Sequence, residues 1–157
     1  MIKLLIDTLK KRSWRLAIVE TSSGGLLSAE FIKQDGVSAI FAESMVAYDM
    51  DAKLKRLHVD EELIAAYGSV SVQTAESMAR GMCKNTGADV VISITGISGP
   101  KGGTEVKPVG LTYICVLVDG VCSTKQYFLS GSRHSIMKQT VELAIQQTYD
   151  CIFSKEE

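Results

Sequence analysis

Residues 88–110 read Ala-Asp-Val-Val-Ile-Ser-Ile-Thr-Gly-Ile-Ser-Gly-Pro-Lys-Gly-Gly-Thr-Glu-Val-Lys-Pro-Val-Gly. The apolar run Val90–Ile94 predicts a strand buried on both faces, which is typical of a sheet covered by helices on each side. A second apolar run, Leu111–Val118, follows the glycine-rich part. Five of the 13 glycines lie in residues 93–110, and loops this long inside compact domains are often functional. This part is either a binding loop or a surface connection, and the residues alone favour neither.

The glycine spacing excludes two standard phosphate-binding motifs. Gly96, Gly99 and Gly102 are three residues apart, whereas the dinucleotide fingerprint is G-x-G-x-x-G. Lys101 precedes the next glycine pair instead of following it as the P-loop lysine does. A nucleotide-like ligand would therefore have to be recognised in another way.

Length and composition predict one globular domain, residues 1–157. The net charge of −1 shows no electrostatic footprint for nucleic acid or an anionic membrane. The longest apolar runs are too short to span a bilayer, and Asp7 interrupts the N-terminal run before a signal-peptide core can form. We therefore expect a cytoplasmic protein with no nucleic-acid or membrane partner.

The cysteine and histidine content argues against a metal site or a bound cofactor. The four cysteines are Cys83, Cys115, Cys122 and Cys151, and they form no C-x-x-C pair. With two histidines in the chain, the usual zinc ligand sets are improbable. A hairpin turn at Asp119-Gly120 would make Cys115 and Cys122 diagonal neighbours, too far apart for a good disulfide, so we predict free thiols.

Hydrophobic periodicity elsewhere in the chain alternates between helices and strands. The predicted elements, in order, are a helix over the first dozen residues, a strand at Leu16–Val19, a helix from Leu26 to Ile32, a strand at Ala39–Tyr48, helices beginning near Asp49 or Asp51, Asp60 and Ser71, the strand and hairpin described above, and a last helix opened by Ser132. This order predicts a three-layer α/β/α sandwich with a mixed, mostly parallel sheet of about five strands.

The turn Thr21-Ser22-Ser23-Gly24-Gly25 joins the first strand to a helix. Such a turn can aim backbone N–H groups and a helix dipole at an anion. An ordinary serine-capped helix explains the same residues, and these residues alone favour that simpler explanation.

Lys53 is placed in the first turn of its predicted helix, where the dipole disfavours a cation. Partial burial there would lower its pKa, and a neutral lysine can activate a serine hydroxyl. A solvated lysine compensated by Asp49 and Asp51 is the simpler physical explanation. A Ser-His-Asp triad is disfavoured, because His58 and His134 lie outside the strand-end turns.

Five segments, in order and in register, resemble the C-terminal domain of the competence/damage-inducible protein CinA. They are Glu20–Gly25, Val46–Lys53 with the pattern Val-Ala-Tyr-x-x-x-Ala-Lys, Tyr67–Ser71, Thr95–Gly103 and Lys107–Gly110. The resemblance implies hydrolysis of the carboxamide of nicotinamide mononucleotide to nicotinate mononucleotide and ammonia. It also implies a stand-alone form of a domain that many family members carry behind a nucleotide-hydrolysing domain.

The resemblance implies a Ser/Lys pair, with Ser38 as the nucleophile and Lys53 as its base. Ser22 and Ser23 are the next candidates for the nucleophile. The residues implied for substrate binding are Thr21, Ser22, Ser23, Gly24, Tyr48, Thr95, Gly96 and Arg133. Among these, Arg133 and the helix start at residues 22–25 are our candidates for the 5′-phosphate.

Several residues depart from the family pattern. Thr21-Ser22-Ser23 stands where Ser-Cys-Thr is usual, Val37 replaces a serine, and Asp49-Met50-Asp51 replaces Ser-Asn-Glu. These changes motivate an alternative, a non-catalytic nucleotide- or partner-binding module of the same fold. An amidase for another small carboxamide is a third possibility. We expect a small-molecule partner, a pyridine mononucleotide, and a homodimer.

Overall fold

The computed structural model describes residues 1–154, so the last three residues of the predicted domain lie outside the described part. Its helices and strands are α1 (Ile2–Lys11), β1 (Leu16–Glu20), α2 (Leu26–Ile32), β2 (Phe41–Val46), α3 (Glu61–Tyr67), α4 (Val72–Thr86), β3 (Val90–Gly96), β4 (Leu111–Val118), β5 (Val121–Phe128) and α5 (Arg133–Phe153). Two shorter elements are a 3₁₀ turn, Val37–Ala39, and a π-helical turn, Ala52–Arg56.

The strands form one five-stranded sheet in the order β2-β1-β3-β4-β5. β1 is parallel to both of its neighbours, and β4 is antiparallel to both of its own. Four of the five strands therefore run in the same direction, and the predicted mixed sheet is confirmed. β3 lies at the centre, and six of its seven residues are buried.

Helices cover both faces of this sheet, so the predicted three layers are confirmed. The alternation of side chains along β1 divides the core: Leu16 and Ile18 pack with residues of α1, α2 and α5, while Ala17 and Val19 pack with residues of α3 and α4. The three inner strands β1, β3 and β4 are buried along almost their whole length because each of their faces meets a helix layer.

Several local signals behave as the sequence predicts. Ser71 caps α4 by accepting a hydrogen bond from the Thr74 N–H, and Ser132 does the same for α5. The Asp119-Gly120 turn sets the register of the hairpin, which places Cys115 opposite Thr124 and Cys122 opposite Leu117. All four thiols are free.

Two elements differ from the prediction. β2 is shorter than residues 39–48, because Val37–Ala39 coils into the 3₁₀ turn before the strand begins. The segment that carries Lys53 begins where expected, with the Ala52 N–H donating to Asp49 Oδ1 at 3.0 Å. It then widens into a π-helical turn, Ala52–Arg56, and beyond that turn the Val59 N–H donates back to the carbonyl of Lys53 at 3.1 Å.

Within residues 1–154, no helix combines the length and the apolar character needed to cross a membrane.

Candidate active site

A cleft of about 270 Å³ opens where β1, β2 and β3 end. The carboxyl ends of parallel strands meet at the same edge of a sheet, which is where α/β folds usually bind ligands. Six of the predicted binding residues line the cleft: Thr21, Ser22, Tyr48, Thr95, Gly96 and Arg133. The cleft is also lined by residues that were not predicted to bind substrate, including Met50, Ser69, Val70, Ser98 and Lys101.

Lys53 lies on the wall of this cleft and is only 2% exposed. Its Nζ donates to the carbonyl oxygens of Ala47 at 2.8 Å and Tyr48 at 3.1 Å. Burial lowers the pKa of Lys53, and the nearby charge of Asp49 opposes that effect. The burial contradicts the interpretation of Lys53 as a solvated lysine, although Asp49 does compensate its charge in part.

The hydrogen-bond geometry of Lys53 suits a base. An ammonium carries three donors, and the two carbonyls occupy two of them. Within the described residues the third position of Nζ has no hydrogen-bond partner, so in the neutral amine this position can hold the lone pair. The amine can then accept a proton from a hydroxyl beside it.

Ser38 does not join Lys53 within one chain. It is exposed in the 3₁₀ turn that precedes β2, whereas Lys53 Nζ is bonded to Ala47, just after β2 ends. The strand advances about 3.3 Å per residue, so Phe41 and Ala47 are roughly 20 Å apart. The predicted Ser38/Lys53 pair therefore has the wrong geometry inside a single chain.

Thr21 is a hydroxyl that shares a hydrogen-bond acceptor with Lys53. Its Oγ1 donates to the same Ala47 carbonyl at 3.3 Å, so it lies within 6.1 Å of Lys53 Nζ, the sum of the two bond lengths. One signal in the sequence could have identified Thr21, already predicted as a binding residue, as a candidate nucleophile. It follows a strand parallel to β2, as Lys53 follows β2 itself, whereas Ser38 precedes β2 and belongs to the opposite edge.

The turn after β1 is not an open anion site, because the chain supplies its own anion. Glu20 is fully buried, and its carboxylate accepts hydrogen bonds from the Ser23 hydroxyl at 2.7 Å, the Leu27 N–H at 2.9 Å, and the N–H and hydroxyl of Ser28 at 2.9 and 2.6 Å. The donors at the start of α2 are thus occupied. Ser23 and Gly24 are therefore not among the residues that line the cleft, and the Leu27 and Ser28 N–H groups are not free to bind a phosphate.

Removing this carboxylate is expected to destabilise the fold strongly. Glu20→Ala leaves two buried N–H groups and two hydroxyls without their acceptor, and hydrogen bonds to charged groups contribute about 1.5–3 kcal/mol each before non-additivity. We expect the free energy of unfolding in urea to fall by about 3–5 kcal/mol. Glu30→Ala is the matched control on α2, since Glu30 forms an exposed ion pair with Lys33 worth about 1 kcal/mol at most. Equal losses in the two variants would contradict the capping role.

Two cationic side chains flank the mouth of the cleft. Arg133, the first residue of α5, donates to the Gly99 carbonyl at 2.7 Å and lies 3.4 Å from the Tyr48 hydroxyl. Lys101 lines the same cleft, and no carboxylate belongs to the lining within the described residues. The cleft therefore favours an anionic ligand.

The glycine-rich loop builds the opposite wall. Thr95 at the end of β3 is buried and donates to the Ser69 carbonyl at 2.8 Å. Lys107 ties the loop to the segment before α4, because its Nζ donates to the carbonyls of Tyr67 and Val70 at 2.6 and 2.8 Å. A Cβ at Gly96 would lie 3.0 Å from Ser22 Oγ, so glycine lets the two walls meet. The loop shapes the cleft, and its Ser98 and Lys101 side chains border the ligand space.

The described residues contain no group of three His, Cys, Asp or Glu side chains placed to hold a metal ion.

Comparison with known families gives a match over nearly the whole chain. The model of the CinA C-terminal domain matches residues 1–152. A putative competence-damage inducible protein of Clostridium novyi is 42% identical over 92% of this chain, and a CinA-like protein of Dictyoglomus thermophilum is 44% identical over 88% of it. The matched part is 34% of each relative, so the chain spans about a third of their length.

Solved structures agree with the sequence matches. A CinA superfamily protein of Escherichia coli superposes with a TM-score of 0.92 at 27% identity, covering 96% of this chain and 87% of that one. A competence/damage inducible protein of Agrobacterium tumefaciens superposes with a TM-score of 0.89 at 30% identity, covering 93% of this chain and 90% of that one.

Proposed function

Because the chain belongs to the CinA C-terminal domain family, we propose that it is an amidohydrolase that converts nicotinamide mononucleotide to nicotinate mononucleotide and ammonia. The observation that carries the proposal is the buried amine of Lys53, which lines a cleft bordered by cations and donates to the same Ala47 carbonyl as the Thr21 hydroxyl. A buried lysine with a lowered pKa and a neighbouring hydroxyl are the parts that nucleophilic amide hydrolysis requires.

In the proposed reaction, neutral Lys53 takes the proton of the Thr21 hydroxyl while Thr21 Oγ1 attacks the carboxamide carbon. The tetrahedral intermediate then loses ammonia, which leaves with the proton held by Lys53. An ester between Thr21 and the nicotinoyl group remains. Water attacks this ester, gives its proton to Lys53 and releases the nicotinate product, after which the proton returns to Thr21.

The charges at the cleft mouth support the mononucleotide as the substrate. A 5′-phosphate carries two negative charges or nearly so at neutral pH, and an arginine can bind it through two parallel hydrogen bonds. Arg133 and Lys101 can both approach such a group, while the carboxamide reaches inward to Lys53. The cleft volume of about 270 Å³ is near the small end of ligand sites, which span roughly 300–1,000 Å³.

The direct test is ammonia release from nicotinamide mononucleotide by the purified protein. We expect turnover, with nicotinate mononucleotide formed in equal amount. If ammonia release stays at the background rate at high enzyme concentration, the enzyme proposal fails. Saturable thermal stabilisation by the mononucleotide without turnover would instead favour the binding module. This alternative is supported by Asp49, whose charge favours the charged form of Lys53.

Replacing Arg133 by alanine is expected to raise KM for the mononucleotide by about 10- to 100-fold, because a charge-assisted hydrogen bond to the phosphate is lost. Arg133→Lys, which keeps the charge, should have a smaller effect. Nicotinamide riboside, which lacks the phosphate, is the matched substrate control. An equal rise in KM for the riboside would show that Arg133 acts by holding Gly99 and Tyr48, and not by binding phosphate.

We also propose that the protein is a homodimer paired through β2. This strand lies at the edge of the sheet, and an edge strand presents unpaired backbone N–H and C=O groups to a second copy. Antiparallel pairing of two copies of β2 would continue the sheet across the dimer. Light scattering after size-exclusion chromatography tests the dimer, and a monomer at micromolar concentration would contradict it.

A further inference from the structure

Lys53 belongs to a turn whose position is fixed from outside the cleft. Its carbonyl accepts the Val59 N–H at 3.1 Å, which ties the residues after the π-helical turn back to Lys53. His58 takes a left-handed backbone with φ of 57° to make this closure, a conformation unusual for a residue with a side chain. The path of residues 57–59 therefore determines where the backbone of Lys53 lies.

Helix α4 contacts this path at Gly81. A Cβ at Gly81 would lie 1.9 Å from the carbonyl oxygen of Leu57. The two backbones are thus in direct contact, and no side chain can fit between them. Gly81 is buried, and it does not line the cleft.

A side chain one turn further along α4 holds the same segment. Asn85 donates from Nδ2 to the Arg56 carbonyl at 2.6 Å, and its Oδ1 lies 3.2 Å from His58 Nε2. One amide therefore bridges the residues on both sides of Leu57. Together with the contact at Gly81, it fixes the end of the Lys53 turn to α4.

We propose that Gly81 is a positioning residue for Lys53, setting the place of the lysine turn by letting the Leu57 carbonyl rest on the backbone of α4. The role assigned to Lys53 itself rests on the proposed function. The Cβ of an alanine at Gly81 would lie 1.9 Å from the Leu57 carbonyl oxygen. An ordinary contact between the two atoms needs 3.4 Å or more, so the Leu57 carbonyl has to move by about 1.5 Å. That movement changes the reach of Lys53 Nζ to the Ala47 and Tyr48 carbonyls.

The kinetic test compares Gly81→Ala with Lys84→Ala, a control at an exposed position on the same helix. A misplacement of about 1 Å can cost roughly 10²-fold in rate, so we expect kcat of Gly81→Ala to fall by about 10- to 100-fold with KM within about threefold. Alanine favours helices more than glycine does, so a loss cannot come from helix propensity. Asn85→Ala removes only the side-chain bridge and should lower kcat less than Gly81→Ala does. If Gly81→Ala does not fold, Asn85→Ala takes its place as the test variant.

A second readout does not depend on turnover. The pH dependence of acetylation of Lys53 by acetic anhydride, followed peptide by peptide, reports the titration of its amine in each variant. We expect the titration to move towards that of an ordinary lysine in Gly81→Ala, since a displaced turn exposes the amine, while Asp49, Arg133 and Lys101 stay in place around it. An unchanged titration and an unchanged kcat in a folded Gly81→Ala would overturn the proposal. If the wild type shows no turnover, a shifted titration still supports the positioning role while the proposed function fails.

Discussion

Replacing Lys53 by methionine is expected to lower kcat/KM for nicotinamide mononucleotide by about 10⁴-fold, the upper end of what general acid–base catalysis contributes. Methionine is similar in length and apolar, so it fits the buried position without leaving a large cavity. The variant loses the group that receives the proton of the Thr21 hydroxyl and returns it to ammonia. Initial rates of ammonia release, measured beside thermal unfolding to confirm the fold, test this expectation.

The pH dependence of the wild type provides the matching observation. Since burial lowers the pKa of Lys53 below 10.5, the fraction of neutral amine, and with it kcat, should rise with pH and level off before the range in which an ordinary lysine titrates. Lys55→Met is the control, because Lys55 is a neighbouring exposed lysine paired with Asp51. A rate that is independent of pH from 6 to 10, or a fully active Lys53→Met, would exclude Lys53 as the base.

Replacing Thr21 by valine is expected to lower kcat by about 10³-fold or more, because a nucleophile and its base act as a unit and either loss removes most of the catalysis. Valine keeps the branched shape of threonine but has no hydroxyl. Thr21→Ser restores a hydroxyl at the same position and should keep activity. Ser38→Ala should remain close to the wild type, since Ser38 is exposed at the far edge of the sheet.

The opposite pattern would have a definite meaning. If Ser38→Ala is inactive and Thr21→Val is active, the nucleophile comes from a second copy paired through β2. Mixing Ser38→Ala with Lys53→Met would then restore part of the activity, since mixed dimers contain one site with both residues intact. If Ser22→Ala alone is inactive, the nucleophile is the other hydroxyl of the same turn, which also lines the cleft.

Much of the fold follows from signals close together in the chain. The helix caps at Ser71 and Ser132 and the hairpin at Asp119-Gly120 each depend on residues within four positions of one another. The consecutive apolar residues Val90, Val91 and Ile92 predict a strand with helices on both faces, because both of its faces are then apolar and have to be covered from water. These features depend on local geometry and on the hydrophobic effect, and both can be recognised from the order of residues along the chain.

The candidate site was predicted in part. The resemblance identified Lys53, Tyr48, Thr95 and Arg133, and the structure places all four on one cleft. It paired Lys53 with Ser38, and the structure does not, because the residues before and after a parallel strand lie at opposite edges of a sheet. The number of residues between Ser38 and Lys53 does not give their distance in space. The length of β2, which lies between them, does.

The sequence by itself determined the three layers, the caps, the hairpin register and the family, since each depends on periodicity or on neighbouring residues. Only the tertiary structure decided which groups meet at the end of the sheet. It places the buried Glu20 carboxylate at the first N–H groups of α2, brings the Thr21 hydroxyl and the Lys53 amine to one carbonyl, and packs Leu57 against Gly81. The physical reason is that a buried polar group must find its partner in space, and that partner is chosen by how strands and helices pack, not by distance along the chain.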